Sequence, residues 1–174
     1  MPNWCECDLY IDGPRERVTA FLDAVKTEDS IFDFNRIIPY PERFADLDRI
    51  AAEWEQLPPE RRTGARPKDG YNQGGYDWCQ ENWGTKWRAR DAALGYSSCD
   101  PEDSLATSRS VEINFRTPWC APAPVVLRAS ELYPDLDFDL RYFERGMAFN
   151  GVYRCKAGKA LEDECAKYFG NRGG

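Results

Sequence analysis

Apolar and polar residues alternate from Cys5 to Asp12. Cys5, Cys7, Leu9 and Ile11 fall on one side and Glu6, Asp8, Tyr10 and Asp12 on the other, the period of a half-buried strand. Asp12-Gly13-Pro14 ends the alternation. Val18, Phe21, Leu22 and Val25 then follow at helical spacing, with Pro14 near the first helical position. The stretch Ile31 to Pro41 is aromatic and aliphatic and carries two prolines, so it reads as a short extended segment excluded from the middle of a sheet. Phe44, Leu47, Ile50, Ala51, Trp54 and Leu57 form a helical stripe stopped by Pro58-Pro59, and a polar, glycine-bearing loop runs from Glu60 to Gly75. Tyr76 to Trp83 allows about two helical turns.

A strand is predicted over Lys86 to Asp91, prolonged by Ala92 to Leu94, and a Ser- and Asp-rich loop over Tyr96 to Ser108. Val111, Ile113, Phe115 and Thr117 alternate against Glu112, Asn114 and Arg116. Val125, Ala129 and Leu132 supply another helix between prolines. Leu136 to Tyr142 and Met147 to Cys155 alternate on either side of Glu144-Arg145-Gly146. Leu161, Cys165 and Tyr168 stand at near-helical spacing, which predicts a last helix over Lys159 to Phe169, with Gly170 to Gly174 fraying. The order is strand, helix, helical insertion, strand, strand, helix, strand, strand. It specifies an α+β chain built as a ferredoxin-like split βαβ sandwich, an antiparallel sheet with two helices on one face. An inserted helical segment at 42–83 interrupts a single domain spanning 1–174, and an extra strand and helix follow at the C-terminus.

One stretch stands apart from this grammar. In Asn82-Trp83-Gly84-Thr85-Lys86-Trp87, two tryptophans flank a glycine and a lysine. Asn82 and Gly84 suit the left-handed close of a helix, and an extended exit would set Thr85 and Trp87 on one side and Lys86 on the other. Two readings stand. In one, both indoles are packing residues and Lys86 is solvated; in the other they rim a site, with Lys86, Arg88 and Arg90 as an anion-binding strip.

Charge narrows the partners. Thirty acidic against twenty-three basic residues leave −7, the wrong sign for a general polyanion binder. On the expected open face only Tyr10 offers a ring for base stacking. No apolar run nears the ~20 residues of a bilayer span, so no membrane partner is expected. The chain has seven cysteines and no histidine. An odd count without a signal segment implies reduced thiols, and Cys5 and Cys7, about 6.6 Å apart on one strand face, cannot bridge without distortion. No Cys-x-x-Cys pair and no phosphate-cradling glycine motif is present, so no metal or cofactor is expected. The lack of histidine removes the commonest general base.

Several blocks, taken together, point to a family. Met1-Pro2-Asn3-Trp4-Cys5, Phe32-Asp33-Phe34-Asn35-Arg36-Ile37-Ile38-Pro39, Asn82 to Trp87, Phe115-Arg116-Thr117-Pro118-Trp119 and Tyr142-Phe143-Glu144-Arg145-Gly146-Met147-Ala148-Phe149 resemble the YubB ferredoxin-like family of phage and plasmid proteins. The resemblance implies a ferredoxin-like domain with inserted helices and an origin in mobile genetic elements, and it brings no particular reaction with it. Cys120 and Ala121 stand where the family has serine and proline, and Cys7 where it often has asparagine, so no hydroxyl or amide role carries over there.

Pattern and resemblance give one expectation. Asn3, Trp4, Asn82, Trp83, Lys86, Trp87, Trp119 and Glu144 gather at one end of the sheet as an aromatic-rimmed pocket, with Lys86 and Glu144 as its charged members. Such a protein would act in the cytoplasm of a bacterial host as an accessory protein binding a host protein or defence factor. The alternative is a binder or enzyme for a small molecule or nucleotide, using Lys86 and Glu144. A nucleic-acid binder comes last.

Overall fold

The alternating segments pair into one antiparallel sheet. A computed structural model describes residues 2–95 and 108–167. Strands β1 (Trp4–Pro14), β2 (Arg90–Leu94), β3 (Ser108–Pro118), β4 (Asp137–Glu144), β5 (Phe149–Lys156) and β6 (Lys159–Lys167) lie in the order β2-β3-β1-β4-β5-β6. The first four give the arrangement expected of a split βαβ repeat. Register follows the hydrophobic pattern: Cys5, Cys7, Leu9 and Ile11 of β1 stand opposite Thr117, Phe115, Ile113 and Val111 of β3 and opposite Glu144, Tyr142, Leu140 and Phe138 of β4. A slip of one residue would turn this set toward solvent.

Helices α1 (Arg15–Val25) and α4 (Ala123–Leu132) cover that apolar face. Val18, Phe21 and Val25 share one core with Val125, Val126 and Ala129, and Phe21 packs edge-on against Tyr133 at 5.2 Å and Phe138 at 5.4 Å. Burying each large side chain contributes about 1.5–3 kcal/mol. The opposite face is polar and largely paired with itself. Arg141 and Arg154 each reach Asp139 at 3.1 Å, Arg141 lies 5.1 Å from the Tyr10 ring, and Asn114 donates to Asp8 at 3.0 Å. Trp4 and Phe143 share this face by register, so Tyr10 is not its one aromatic.

Between α1 and β2 the chain makes a 3-10 turn at Phe34–Arg36 and helices α2 (Glu42–Gln56) and α3 (Gly75–Trp83). The Ile31–Pro41 stretch is therefore no strand, and the Asp33 carboxylate caps its turn by accepting from Asn35 N at 3.0 Å. The polar loop after α2 is held by Arg62, which donates to the carbonyls of Leu57 at 2.8 Å and Glu55 at 2.6 Å. Among the described residues no helix is long and apolar enough to cross a membrane.

Two elements differ from the sequence expectation. Lys86 to Arg88 lie in a turn and β2 starts only at Arg90, because Thr85 is drawn inward to a backbone carbonyl. The C-terminal segment is the strand β6 and not a helix. Ala157 and Gly158, both at positive φ (49° and 73°), form a two-residue connection between the paired Lys156 and Lys159. That geometry matches the twist of a hairpin and commits the chain to pairing with β5. Of the loop expected at Tyr96–Ser108, residues 96–107 lie outside the described residues, as does the end expected to fray, Gly170–Gly174.

Candidate functional site

Helix α3 ends at Gly84, whose φ of 73° is left-handed and whose missing side chain leaves room for Pro124; a Cβ there would stand 2.8 Å from the proline Cδ. This packs the end of α3 onto the start of α4. The buried Thr85 hydroxyl then donates to Pro118 O at 2.9 Å, tying the turn to the corner after β3. Trp83 is only 4% exposed. Its Nε1 donates to Ile38 O at 2.9 Å, and its ring lies 5.8 Å from both Phe34 and Tyr40 and 5.4 Å from Trp78. Trp83 thus belongs to the core and forms a wall at the same time.

The space beside that wall is a cleft of about 220 Å³ between the inserted helices, the turn at Asn35 and the segment that leads from α3 to β2. Tyr40, Tyr71, Trp83 and Trp87 give it aromatic sides, with Asp48, Asn35 and Cys79 among them and Lys86 and Arg88 as its cations. Its acceptors are already engaged. Asp48 accepts from the Tyr40 hydroxyl at 3.1 Å and from Tyr71 N at 2.9 Å, and Asn35 Oδ1 accepts from Tyr40 N at 3.0 Å. Burial, followed by the Asp48 charge, pushes the Cys79 thiol up to about 11 and holds the Tyr40 phenol well above its usual range. Burial likewise pushes Tyr71 up to about 12. These groups are neutral at pH 7 and none is poised as a nucleophile.

Lys86 is the exception to this pairing. Its Nζ lies 5.3 Å from the Trp119 ring centre and 5.8 Å from that of Tyr76, and it makes no ion pair among the described residues. Arg88 stands 3.8 Å from Asp33. Trp87 Nε1 is buried without a hydrogen-bond partner.

The eight residues expected in one pocket are divided. Trp83, Lys86 and Trp87 line the cleft. Trp4 lies under Arg116, at 5.4 Å, and shares with Trp87, Arg90 and Asp91 a neighbouring hollow of about 300 Å³. Trp119 meets Lys86 outside the cleft lining, and its backbone N–H donates to Asn3 O at 3.0 Å. Asn82 bonds back to Trp78 O at 2.9 Å within α3. Glu144 is 1% exposed and accepts from the backbone N–H groups of Gly146, at 2.8 Å, and Met147, clamping the turn after β4. It does not line the cleft. A carboxylate whose oxygens are taken by a tight turn is not available as the partner charge of Lys86. Cys5 and Cys7 are buried, the Cys7 thiol lies 3.6 Å from Thr117 Oγ1, and no group of three or more potential ligands able to hold a metal occurs among the described residues.

Sequence reasoning missed Asn35, Tyr40, Asp48, Tyr71 and Cys79 as lining. One signal was available: Asp48 follows Phe44 by four residues and precedes Ala51 by three, placing a carboxylate beside the buried residues of α2.

Sheet order and helix placement define the class, a ferredoxin-like α+β protein with helices inserted before its second strand. The family model described as a ferredoxin-like domain in Api92-like protein matches residues 82–168. The chain belongs to this family, in agreement with the phage and plasmid resemblance of its sequence blocks. A solved structure, that of protein api92 from Yersinia pseudotuberculosis, is similar with a TM-score of 0.57 at 12% identity, over 98% of this chain and 99% of the other. At that identity the likeness concerns the fold. No curated protein matches the chain.

Proposed function

We propose that the chain is a protein-binding module of a mobile genetic element, acting on a host protein or defence factor in the bacterial cytoplasm through the aromatic cleft. In this reading residues 1–174 form one ferredoxin-like domain, and the helical insertion at 42–83 supplies half of the cleft. The observation that carries it is the size and lining of that space. Pockets for drug-sized ligands run to ~300–1,000 Å³, whereas about 220 Å³ with four aromatic walls accommodates one inserted side chain of the kind that anchors protein interfaces. The same magnitude counts against a mononucleotide. Catalysis has no support in the lining, where Asp48 is engaged by two donors and the titratable Cys79, Tyr40 and Tyr71 are held neutral.

Affinity capture from lysate of the bacterial host tests the reading, comparing the natural chain with Lys86→Ala and with Arg141→Ala on the open face. One stoichiometric partner should be retained by the natural chain and by Arg141→Ala and lost by Lys86→Ala. A partner lost with Arg141→Ala and kept by Lys86→Ala would move the interface to the open sheet face.

A further inference from the structure

The unmet charge around the cleft is positive. Asp48 and Asn35 already accept from Tyr40 and Tyr71, and the Trp83 N–H is spent on Ile38 O. What stands without a partner is the Lys86 ammonium, held among ring faces with no carboxylate. An ammonium without a counter-charge favours acceptor oxygens in an occupant, and an anion gains more than a neutral group. A cationic occupant fits the aromatic walls in principle. Here it would face Lys86 and Arg88, while the one carboxylate in the lining already serves two donors.

We propose that the cleft takes an aromatic side chain flanked by an acidic residue in a segment of the partner protein, the ring lying between Tyr40, Trp83 and Trp87 and the carboxylate on Lys86. This deepens the protein-binding reading given above and rests on it. Lys86 is the group that recognises the charge, and the aromatic walls recognise the ring. The chain's net charge of −7 makes this a local recognition and not long-range steering, so affinity depends on the ion pair at contact distance.

The probe is a blocked Glu-Phe-Gly tripeptide, titrated by intrinsic tryptophan fluorescence beside its Gln-Phe-Gly and Glu-Ala-Gly counterparts. The natural chain and Lys86→Met are both used, with circular dichroism to establish that the variant is folded. Glu-Phe-Gly should bind about tenfold tighter than either counterpart. Lys86→Met should erase the preference for Glu over Gln. Equal binding of the Glu and Gln peptides overturns the carboxylate inference while leaving the cleft as a docking site. Failure of all three peptides to bind overturns both.

Discussion

Trp83 serves the core and the cleft with the same ring, so its removal tests packing before binding. Trp83→Ala should cost about 3–5 kcal/mol, read as a lower urea midpoint with unchanged slope. Ordinary domains have ~5–15 kcal/mol in hand, so the variant should remain folded at 25 °C. Glu144 makes the opposite case. Its oxygens hold the N–H groups of Gly146 and Met147, so Glu144→Gln should lower stability by about 1–3 kcal/mol and leave tripeptide binding untouched. A drop in binding equal to that of Lys86→Met would restore Glu144 as a ligand group. The sequence marked Trp83, Lys86 and Trp87 correctly as neighbours because they sit within five consecutive positions. It could not show that the Glu144 carboxylate turns back onto its own chain, since that depends on the backbone path of residues 145–147.

Element boundaries were readable wherever burial is one-sided. β1, β3 and β4 alternate because one face meets α1 and α4 and the other meets water, and α2 shows its stripe for the same reason. Where burial gives no instruction the pattern misled. Eight of the nine residues from Lys159 to Lys167 in β6 are exposed, all but Glu162, so the spacing of Leu161 and Cys165 carried no information, and the hairpin at Ala157-Gly158 decided the outcome. Between α3 and β2 the alternation of residues 85–89 is real in burial, with Thr85 and Ala89 inside, yet the backbone is a turn held by Thr85. Gly84 is the joint of this arrangement. Gly84→Ala should cost about 1–2 kcal/mol for the left-handed backbone alone, with more from the approach to Pro124, and should weaken tripeptide binding by displacing Lys86. Urea denaturation and the same fluorescence titration measure both. Unchanged stability would mean that α3 closes in some other way.

For the molecule as a whole, the weak acids around the cleft make stability depend on pH in a defined direction. The folded chain holds the Cys79 proton up to about 11 and the Tyr71 proton up to about 12, against ordinary values of 9.0 and 10.0. Between those limits the unfolded chain binds fewer protons than the folded one, so this share of stability is complete below pH 9 and falls as pH rises. The urea midpoint should decline from pH 9 upward, and Cys79→Ala should flatten the part between 9 and 11. A midpoint rising across that interval would contradict the upward shift of both groups. The central claim is that the inserted helices and the segment between α3 and β2 form a binding cleft walled by Trp83 and Trp87. The most direct measurement follows the indole N–H signals of the six tryptophans in a ¹H–¹⁵N spectrum during titration with the Glu-Phe-Gly tripeptide. The signals of Trp83 and Trp87 should move together while that of Trp54, which does not line the cleft, stays in place; movement of Trp54 with Trp83 and Trp87 unmoved would contradict the claim.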